Sequence, residues 1–314
     1  MTTIRTNLTI VTEFILMGFL PGQNMYILHS VLFSITYLWA LMGNVLIILI
    51  TTLDQHLHTP MYFFLKNLSF LDLCLISIII PKSIFNSLTH NSSISFLGCV
   101  TQVFSAVFSA IAEVFLLTAM SFDRYAAICH PLHYEVIMNM GTCMQMVAVS
   151  WLGGGLIAVM HTAGTFSLSF CGSNIVYQFF CDIPQLLAIS CSENLMREIV
   201  PILITVVLEF CCFIVIVVSY VYIFSTVKKI PSTEGQSKAY STCLPHLVVV
   251  VLFLSTGFTA YLKPTSSSPS IFDLVISVFY TLVPPTLNPI IYSLRNKAMK
   301  MTLGMLMEGK LIKK

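Results

Sequence analysis

Charge is what this 314-residue sequence has least of. It carries 13 acids against 15 lysines and arginines, so charged residues make up 9% of the chain, where a soluble domain carries about 25%. That scarcity excludes an ordinary soluble fold. Hydrophobic residues reach 57% and the mean hydropathy is +0.90, which leaves too few polar side chains to cover a water-facing surface. Disorder is excluded by the same balance, because it needs low hydrophobicity and high charge. A formal net charge of +2 argues against a nucleic-acid partner, which calls for a strongly basic face. Catalytic signatures are missing too. There is no His-Glu-x-x-His and no Gly-x-Ser-x-Gly, and the eight histidines are scattered without metal-ligand spacing. No enzyme is read from the chain. The first 25 residues lack a basic stretch followed by an apolar core and a small-residue cleavage site, so no cleaved signal peptide is expected. No transporter-type internal repeat is visible. What remains is a one-domain polytopic membrane protein.

A bilayer-spanning helix needs about 20 mostly apolar residues. Seven stretches qualify, at 26–50, 59–81, 98–122, 142–163, 198–224, 239–262 and 271–292. Barrel strands are about 10 residues long and alternate in polarity, so these are helices, and the fold class is an all-α seven-transmembrane bundle. The second span opens at Pro60, where a missing N–H costs nothing, and is expected to close near Pro81. The seventh holds Pro284, Pro285 and Pro289, which predicts a kinked or locally unwound helix. Charge asymmetry sets orientation. With the N-terminus outside, 11 of the 15 basic residues fall on the cytoplasmic side, and Arg5, Lys82, Arg197 and Lys263 fall outside. The expected division is therefore an extracellular tail over 1–25, the bundle over 26–292 and a cytoplasmic segment over 293–314. Asn7-Leu8-Thr9 is a glycosylation sequon on the outside tail, and Asn91-Ser92-Ser93 is a second one in an outer loop close to the membrane.

Cysteines divide by side. Cys99, Cys171, Cys181 and Cys191 lie at or beyond the outer face, where disulfides form, and four cysteines allow three pairings. Cys74, Cys129, Cys143, Cys211, Cys212 and Cys243 lie within spans or near the cytosol and read as free thiols packed as small hydrophobes. Asp72 and Glu113 are carboxylates near mid-membrane. Glu113 precedes Arg124 by 11 residues, about three helical turns, so both lie on one side of the third span. A buried carboxylate must pair, protonate or hold a cation.

Five motifs occur in order. Pro60-Met61-Tyr62-Phe63-Phe64-Leu65 opens the second span. Met120-Ser121-Phe122-Asp123-Arg124-Tyr125-Ala126-Ala127-Ile128-Cys129 closes the third. Ser219-Tyr220 lies low in the fifth. Lys238-Ala239-Tyr240-Ser241-Thr242-Cys243-Leu244-Pro245-His246 opens the sixth, and Asn288-Pro289-Ile290-Ile291-Tyr292 closes the seventh. Together they resemble the olfactory receptors within the rhodopsin-like G-protein-coupled receptors. Leu244-Pro245-His246 and Tyr261-Leu262-Lys263-Pro264-Thr265 look most like the fourteenth family of class II. The sequence departs from the family at Ser121, where Ala is usual, at Ala126, where Val is usual, and at Phe253-Leu254-Ser255 in place of Phe-Tyr-Gly. The last removes an aromatic from the floor of the family pocket.

The resemblance implies a receptor for small, neutral, largely hydrophobic volatiles, coupled to a stimulatory heterotrimeric G protein that raises cAMP. The readings weighed against it are a receptor for a non-odorant small molecule and a transporter. The expected site is a multi-pass one in the plasma membrane, in contact with membrane lipid. Positions matching the family pocket are Ala106, Val107, Ala110 and Ile111 on the third span, Ile204, Thr205 and Leu208 on the fifth, Gly257, Phe258 and Tyr261 on the sixth, and Thr281 on the seventh. With only a methyl group at Ala106, a protonated amine finds no counter-charge there. Glu209 is either a protonated pocket donor or a hydrogen-bonding partner of a neighbouring helix. In the switch that the resemblance implies, Asp123 holds Arg124 at rest, Tyr125 adjoins them, and Tyr220, Asn288, Pro289 and Tyr292 take part. On residue physics alone, Arg124 equally suits an interfacial arginine reaching headgroups. The family also implies a sodium ion at Asp72 and Glu113 with Asn44 and Asn288 nearby, where the alternative is two protonated acids. It implies Cys99–Cys181 and Cys171–Cys191 disulfides. Arg295 to Leu303 is basic with interleaved apolar residues, which suits an amphipathic helix on the inner leaflet.

Overall fold

The structure is a computed structural model, and it describes residues 11–17, 23–170, 173–191, 196–262, 271–295, 301 and 304. In chain order the elements are β1 (Glu13–Leu16), α1 (Gln23–Leu53), α2 (Pro60–Thr89), β2 (Ser93–Ser95), α3 (Phe96–Cys129), α4 (Tyr134–Ile137), α5 (Met140–Phe166), β3 (Ile175–Val176), α6 (Ile183–Ala188), α7 (Met196–Val227), α8 (Thr233–Leu262) and α9 (Ile271–Arg295). Seven of them, α1, α2, α3, α5, α7, α8 and α9, are long and apolar enough to cross a membrane. Helix α3 is the central one. In its most apolar stretch 67% of residues are buried inside the protein, against 11% for the peripheral α7. It packs on α2, α5, α7 and α8, while α1 and α9 close the bundle on α2's other side.

Helix starts are set by local chemistry. Ser95 caps α3 by accepting from Gly98 N–H at 3.1 Å, and Asn139 caps α5 by accepting from Thr142 N–H at 2.9 Å. Pro60 occupies the first turn of α2. The expected stop at Pro81 is corrected: α2 runs through it to Thr89 and ends at His90, which adopts the left-handed conformation at φ 53°. A proline inside a span frees one carbonyl and kinks the helix without terminating it when neighbours complete the turn. Helix α9 is likewise continuous through Pro284, Pro285 and Pro289, and is not unwound. The carbonyl that Pro289 leaves free, Pro285 C=O, accepts from Asn44 Nδ2 at 2.9 Å. Thr286 Oγ1 adds bonds to Leu282 O at 2.7 Å and Val283 O at 3.0 Å. Helix α1 is brought close enough for this by Gly43, since a Cβ there would stand 2.9 Å from Pro289 Cβ.

On the outer side, a three-stranded sheet of order β2-β1-β3 gathers three separate loops. Strand β1 pairs antiparallel with β2 (Phe14 opposite Ile94) and parallel with β3 (Ile15 opposite Ile175). Phe14 is fully buried between Phe96 and Phe170, and that burial stabilises the lid by about 2 kcal/mol. Three apolar clusters follow. One fills the cytoplasmic half around Leu68, Leu116, Met120 and Tyr220. A second lies under the sheet around Cys99, Val107, Ile111 and Ile157. The third joins Phe33, Ile76, Phe179 and Leu282.

Candidate functional site

Four groups of polar or chemically distinct residues lie along the bundle. The outermost is the second outer loop. A disulfide joins Cys99 at the top of α3 to Cys181. Cys191 is also disulfide-bonded, and its backbone N–H bonds Ser169 O at 3.0 Å, while its expected partner Cys171 lies outside the described residues. The six cysteines expected free are free.

Below the loop, the residues expected to line a pocket fall on several faces. Ala106 and Ala110 are half-buried on the central α3, and Val107 and Ile111 are buried in one packed cluster with Ile157 and Ala158 of α5. Leu208 of α7 packs against that cluster. Thr205 is drawn sideways: its hydroxyl meets His161 Nε2 of α5 at 3.0 Å. Glu209, one turn further on α7, is also close enough to His161 for their charges to interact. Ile204 is exposed. Thr281 of α9 is buried, and its hydroxyl has no hydrogen-bond partner. Gly257 is half-buried with open space where a side chain would begin. The side chains of Phe258 and Tyr261 lie outside the described residues.

At mid-membrane, Asp72 of α2 accepts from Asn288 Nδ2 of α9 at 3.1 Å. Both residues are buried, as are Asn44 and Glu113, and Glu113 is near enough to Asp72 for their charges to interact. Asn44 Nδ2 is used on Ala40 O and Pro285 O, at 3.0 and 2.9 Å. Five buried oxygens here lack a partner: Asn44 Oδ1, Ser69 Oγ, Asp72 Oδ1, Ser109 Oγ and Glu113 Oε1. Unsatisfied buried oxygens are costly. A set made wholly of hard oxygens suits an alkali or alkaline-earth cation, so these residues fit a sodium ion. Ser69 and Ser109, one turn from Asp72 and Glu113, were missed in the sequence because a serine in a helix normally bonds its own backbone.

At the cytoplasmic end, Arg124 donates to Asp123 through both Nε, at 2.9 Å to Oδ2, and Nη2. The second oxygen of Asp123 accepts from Tyr134 O–H of α4 at 2.7 Å. Burial first, and then the charge of Asp123, push the Tyr134 hydroxyl well above its ordinary range, so it stays a donor. Tyr125 O–H meets His130 Nε2 at 3.0 Å. Tyr220 of α7 is held on α8: its hydroxyl is 2.7 Å from Nδ1 of His246. The opposite ring nitrogen, Nε2, is 2.9 Å from Leu117 O on α3. A carbonyl only accepts, so Nε2 carries the hydrogen, and the neutral ring accepts Tyr220's proton at Nδ1. One histidine thus ties α3, α7 and α8 without an ion pair. The sequence shows it only as one of eight histidines without metal-ligand spacing. The available signal was its place in the inner half of a span, where an ionisable group needs a partner. Tyr292 is buried with its hydroxyl unpartnered. Asn91 is exposed between α2 and β2, its Oδ1 accepting from Ser93 N–H at 3.0 Å. Asn7, and most of the expected amphipathic helix from Arg295 to Leu303, lie outside the described residues.

Comparison with known proteins places this architecture. A family model described as olfactory receptor matches residues 33–310. Olfactory receptor 14A16 of Homo sapiens is 78% identical over 308 residues, covering 98% of this chain and 99% of that protein. Olfactory receptor 14A2 of Homo sapiens is 58% identical over 302 residues, covering 96% of each. Among solved structures, squid rhodopsin superposes with a TM-score of 0.74 at 17% identity, over 93% of this chain and 87% of that one, which shows the shared seven-helix fold.

Proposed function

This chain belongs to the olfactory receptor family, and from that premise we propose that it binds small, neutral, largely hydrophobic volatiles in the outer half of the bundle and activates a stimulatory heterotrimeric G protein, raising cAMP. Members of the family are G-protein-coupled receptors and not enzymes, so the chain is a multi-pass plasma-membrane receptor that detects odorants. The ligand class is our reading of the wall chemistry. Ala106, Val107, Ala110, Ile111, Leu208 and Gly257 offer apolar surface, while Thr281 has a free buried hydroxyl, the usual make-up of a small-molecule site. Ala106 gives an ammonium group nothing to pair with. Burying about six CH₂ groups at roughly 0.8 kcal/mol each supplies about 5 kcal/mol, and one or two hydrogen bonds add about 1 kcal/mol each, before entropic losses, so affinity falls between about ten micromolar and millimolar.

The observation that carries the signalling reading is the arrangement of held groups at the cytoplasmic end. Arg124 is neutralised by Asp123, Asp123 is completed by Tyr134, and Tyr220 is held on His246. Activation releases Arg124 and Tyr220 toward each other and toward a G-protein helix. Asp72 and Glu113, with Asn44 and Asn288 beside them, are the residues that would hold a sodium ion in the resting state. The ion would supply a positive charge that lets both carboxylates stay ionised. Asn288, bonded to Asp72, would then connect that site to Pro289 and Tyr292 of α9.

A cAMP reporter screened against a broad panel of volatiles tests the reading. Responses to uncharged hydrophobic volatiles at micromolar to millimolar concentration are expected. A charged amine or a peptide emerging as the potent agonist overturns the ligand class, and ion flux in proteoliposomes overturns the receptor reading in favour of transport.

A further inference from the structure

The second outer loop is anchored unequally. Toward α2 and α3 its anchors are covalent or deep. The Cys99–Cys181 disulfide is one. Cys181 N–H donates to Gln102 Oε1 at 3.0 Å, and Ser83 Oγ donates to Phe179 O at 2.9 Å. Phe179 and Phe180, each only 1% exposed, pack in one cluster with Phe33 of α1, Ile76 of α2 and Leu282 of α9. Toward α9 the loop is held differently. Tyr280 rests its ring against Phe180, with centroids 6.0 Å apart, and donates its hydroxyl to Asp182 Oδ2 at 2.6 Å. Asp182 immediately follows the disulfide and precedes α6. The loop therefore crosses the outer mouth of the bundle with one side stapled by a disulfide and the other held without a covalent bond, by apolar packing on Leu282 and by the carboxyl–phenol pair.

We propose that the Asp182–Tyr280 contact is a latch between the loop and α9 that opens to admit ligand and is tightened by extracellular acid. The physical basis is the carboxyl's change of surroundings. With the latch closed, Asp182 is half-buried beside Tyr280, and that burial raises it to about 6 even though the Tyr280 hydrogen bond and the Ile183 backbone N–H lower it. With the latch open it is hydrated, and an ordinary aspartate titrates near 3.9. The state with the higher pKa binds protons more tightly, so acid favours the closed latch. A protonated carboxyl still keeps an oxygen to accept from Tyr280. Tyr280 of α9 is the titratable group that meets Asp182. Lys82, on the outer half of α2, lies over the Phe85 ring, and no described cation pairs with Asp182.

The effect has a defined size. Titration at about 6 closed and about 3.9 open makes the closed latch roughly fourfold more favoured at pH 5.5 than at pH 7.4. The proposal rests on the receptor reading above, and two measurements on the full-length receptor separate the two. The first is the dose–response of cAMP to an uncharged volatile agonist at external pH 7.4, 6.5 and 5.5, normalised to a direct cyclase activator. Potency should fall about fourfold, Asp182→Asn should be flat across the range, and Tyr280→Phe should move the transition to higher pH, because its hydroxyl is what lowers Asp182. The Tyr280→Phe arm also stands if Asp182→Asn fails to reach the surface. The second needs no ligand: infrared spectroscopy of purified receptor should show a protonated-carboxyl band that titrates near pH 6 and is absent from Asp182→Asn. A parent receptor whose potency does not change with pH, an Asp182→Asn variant that keeps the shift, or the lack of a titrating band overturns the latch. Failure of every volatile to raise cAMP, with the band present, overturns the functional reading and leaves the latch standing.

Discussion

Substituting Gly43 by Ala tests the seam between α1 and α9, the join that delivers Asn44 to the mid-membrane site. A Cβ at Gly43 would stand 2.9 Å from Pro289 Cβ and 3.1 Å from its Cγ. Carbon atoms settle at about 3.5–4.0 Å, and the proline ring has no rotamer to move into. The helices must therefore part by roughly 0.6 Å. The neighbouring bond from Asn44 Nδ2 to Pro285 O, 2.9 Å long, would stretch to roughly 3.5 Å, beyond the useful range. Overpacking of this kind costs about 1–3 kcal/mol and the weakened bond about 1 kcal/mol more. Alanine's better helix propensity returns up to about 1 kcal/mol. The net destabilisation is about 1–3 kcal/mol, which lowers the melting temperature of the purified receptor by roughly 1.5–5 °C. Gly257→Ala is the control, because a Cβ there meets nothing within 4 Å. Measured by thermal unfolding in one detergent, the two variants should differ. A Gly43→Ala receptor that melts within about 1 °C of the parent would refute the close-approach argument.

Asp72→Asn and Glu113→Gln should each abolish any sodium dependence of agonist potency, and a parent receptor equally potent in sodium and in an organic-cation buffer has no functional sodium site. Cys99→Ser or Cys181→Ser should lower surface expression more than Cys74→Ser, since only the first two break the Cys99–Cys181 staple; surface labelling showing equal loss would contradict this. Tyr134→Phe removes the donor from Asp123 Oδ1, a charge-assisted bond of about 1.5 kcal/mol. Agonist-free cAMP should rise several-fold at matched surface density, and an unchanged basal level would show that Tyr134 does not restrain Arg124.

The seven spans were readable because hydrophobic length alone fixes them. Their ends were less so. The third span was expected to close at residue 122, yet α3 runs to Cys129. Its last turns carry Asp123 and Arg124 at the cytoplasmic end of the bundle, where two charges lower the hydropathy although the helix continues. Pro81 was misjudged because a proline's lost N–H ends a helix in water more readily than in a packed bundle. Strand β1 left almost no trace: four residues, Glu13 to Leu16, find partners in two distant loops. In the site, the acids at 72 and 113 were conspicuous as charges in an apolar run. That Asn288, 216 residues from Asp72, lies beside them came from the family resemblance. That His246 needs a partner was readable from its place in the span, but the partners it ties were not. The tie depends on the rotation of α8, which sets His246 between Tyr220 and Leu117 O, and periodicity does not fix helix rotation to that precision.

The central claim, that this is a ligand-gated switch built on Arg124 and Asp123, is tested most directly by agonist-evoked cAMP in cells displaying parent and Arg124→Ala receptors at equal surface density. A dose-dependent rise in the parent, with none above background in Arg124→Ala, is the predicted result. A full agonist response from the well-displayed Arg124→Ala receptor would contradict it.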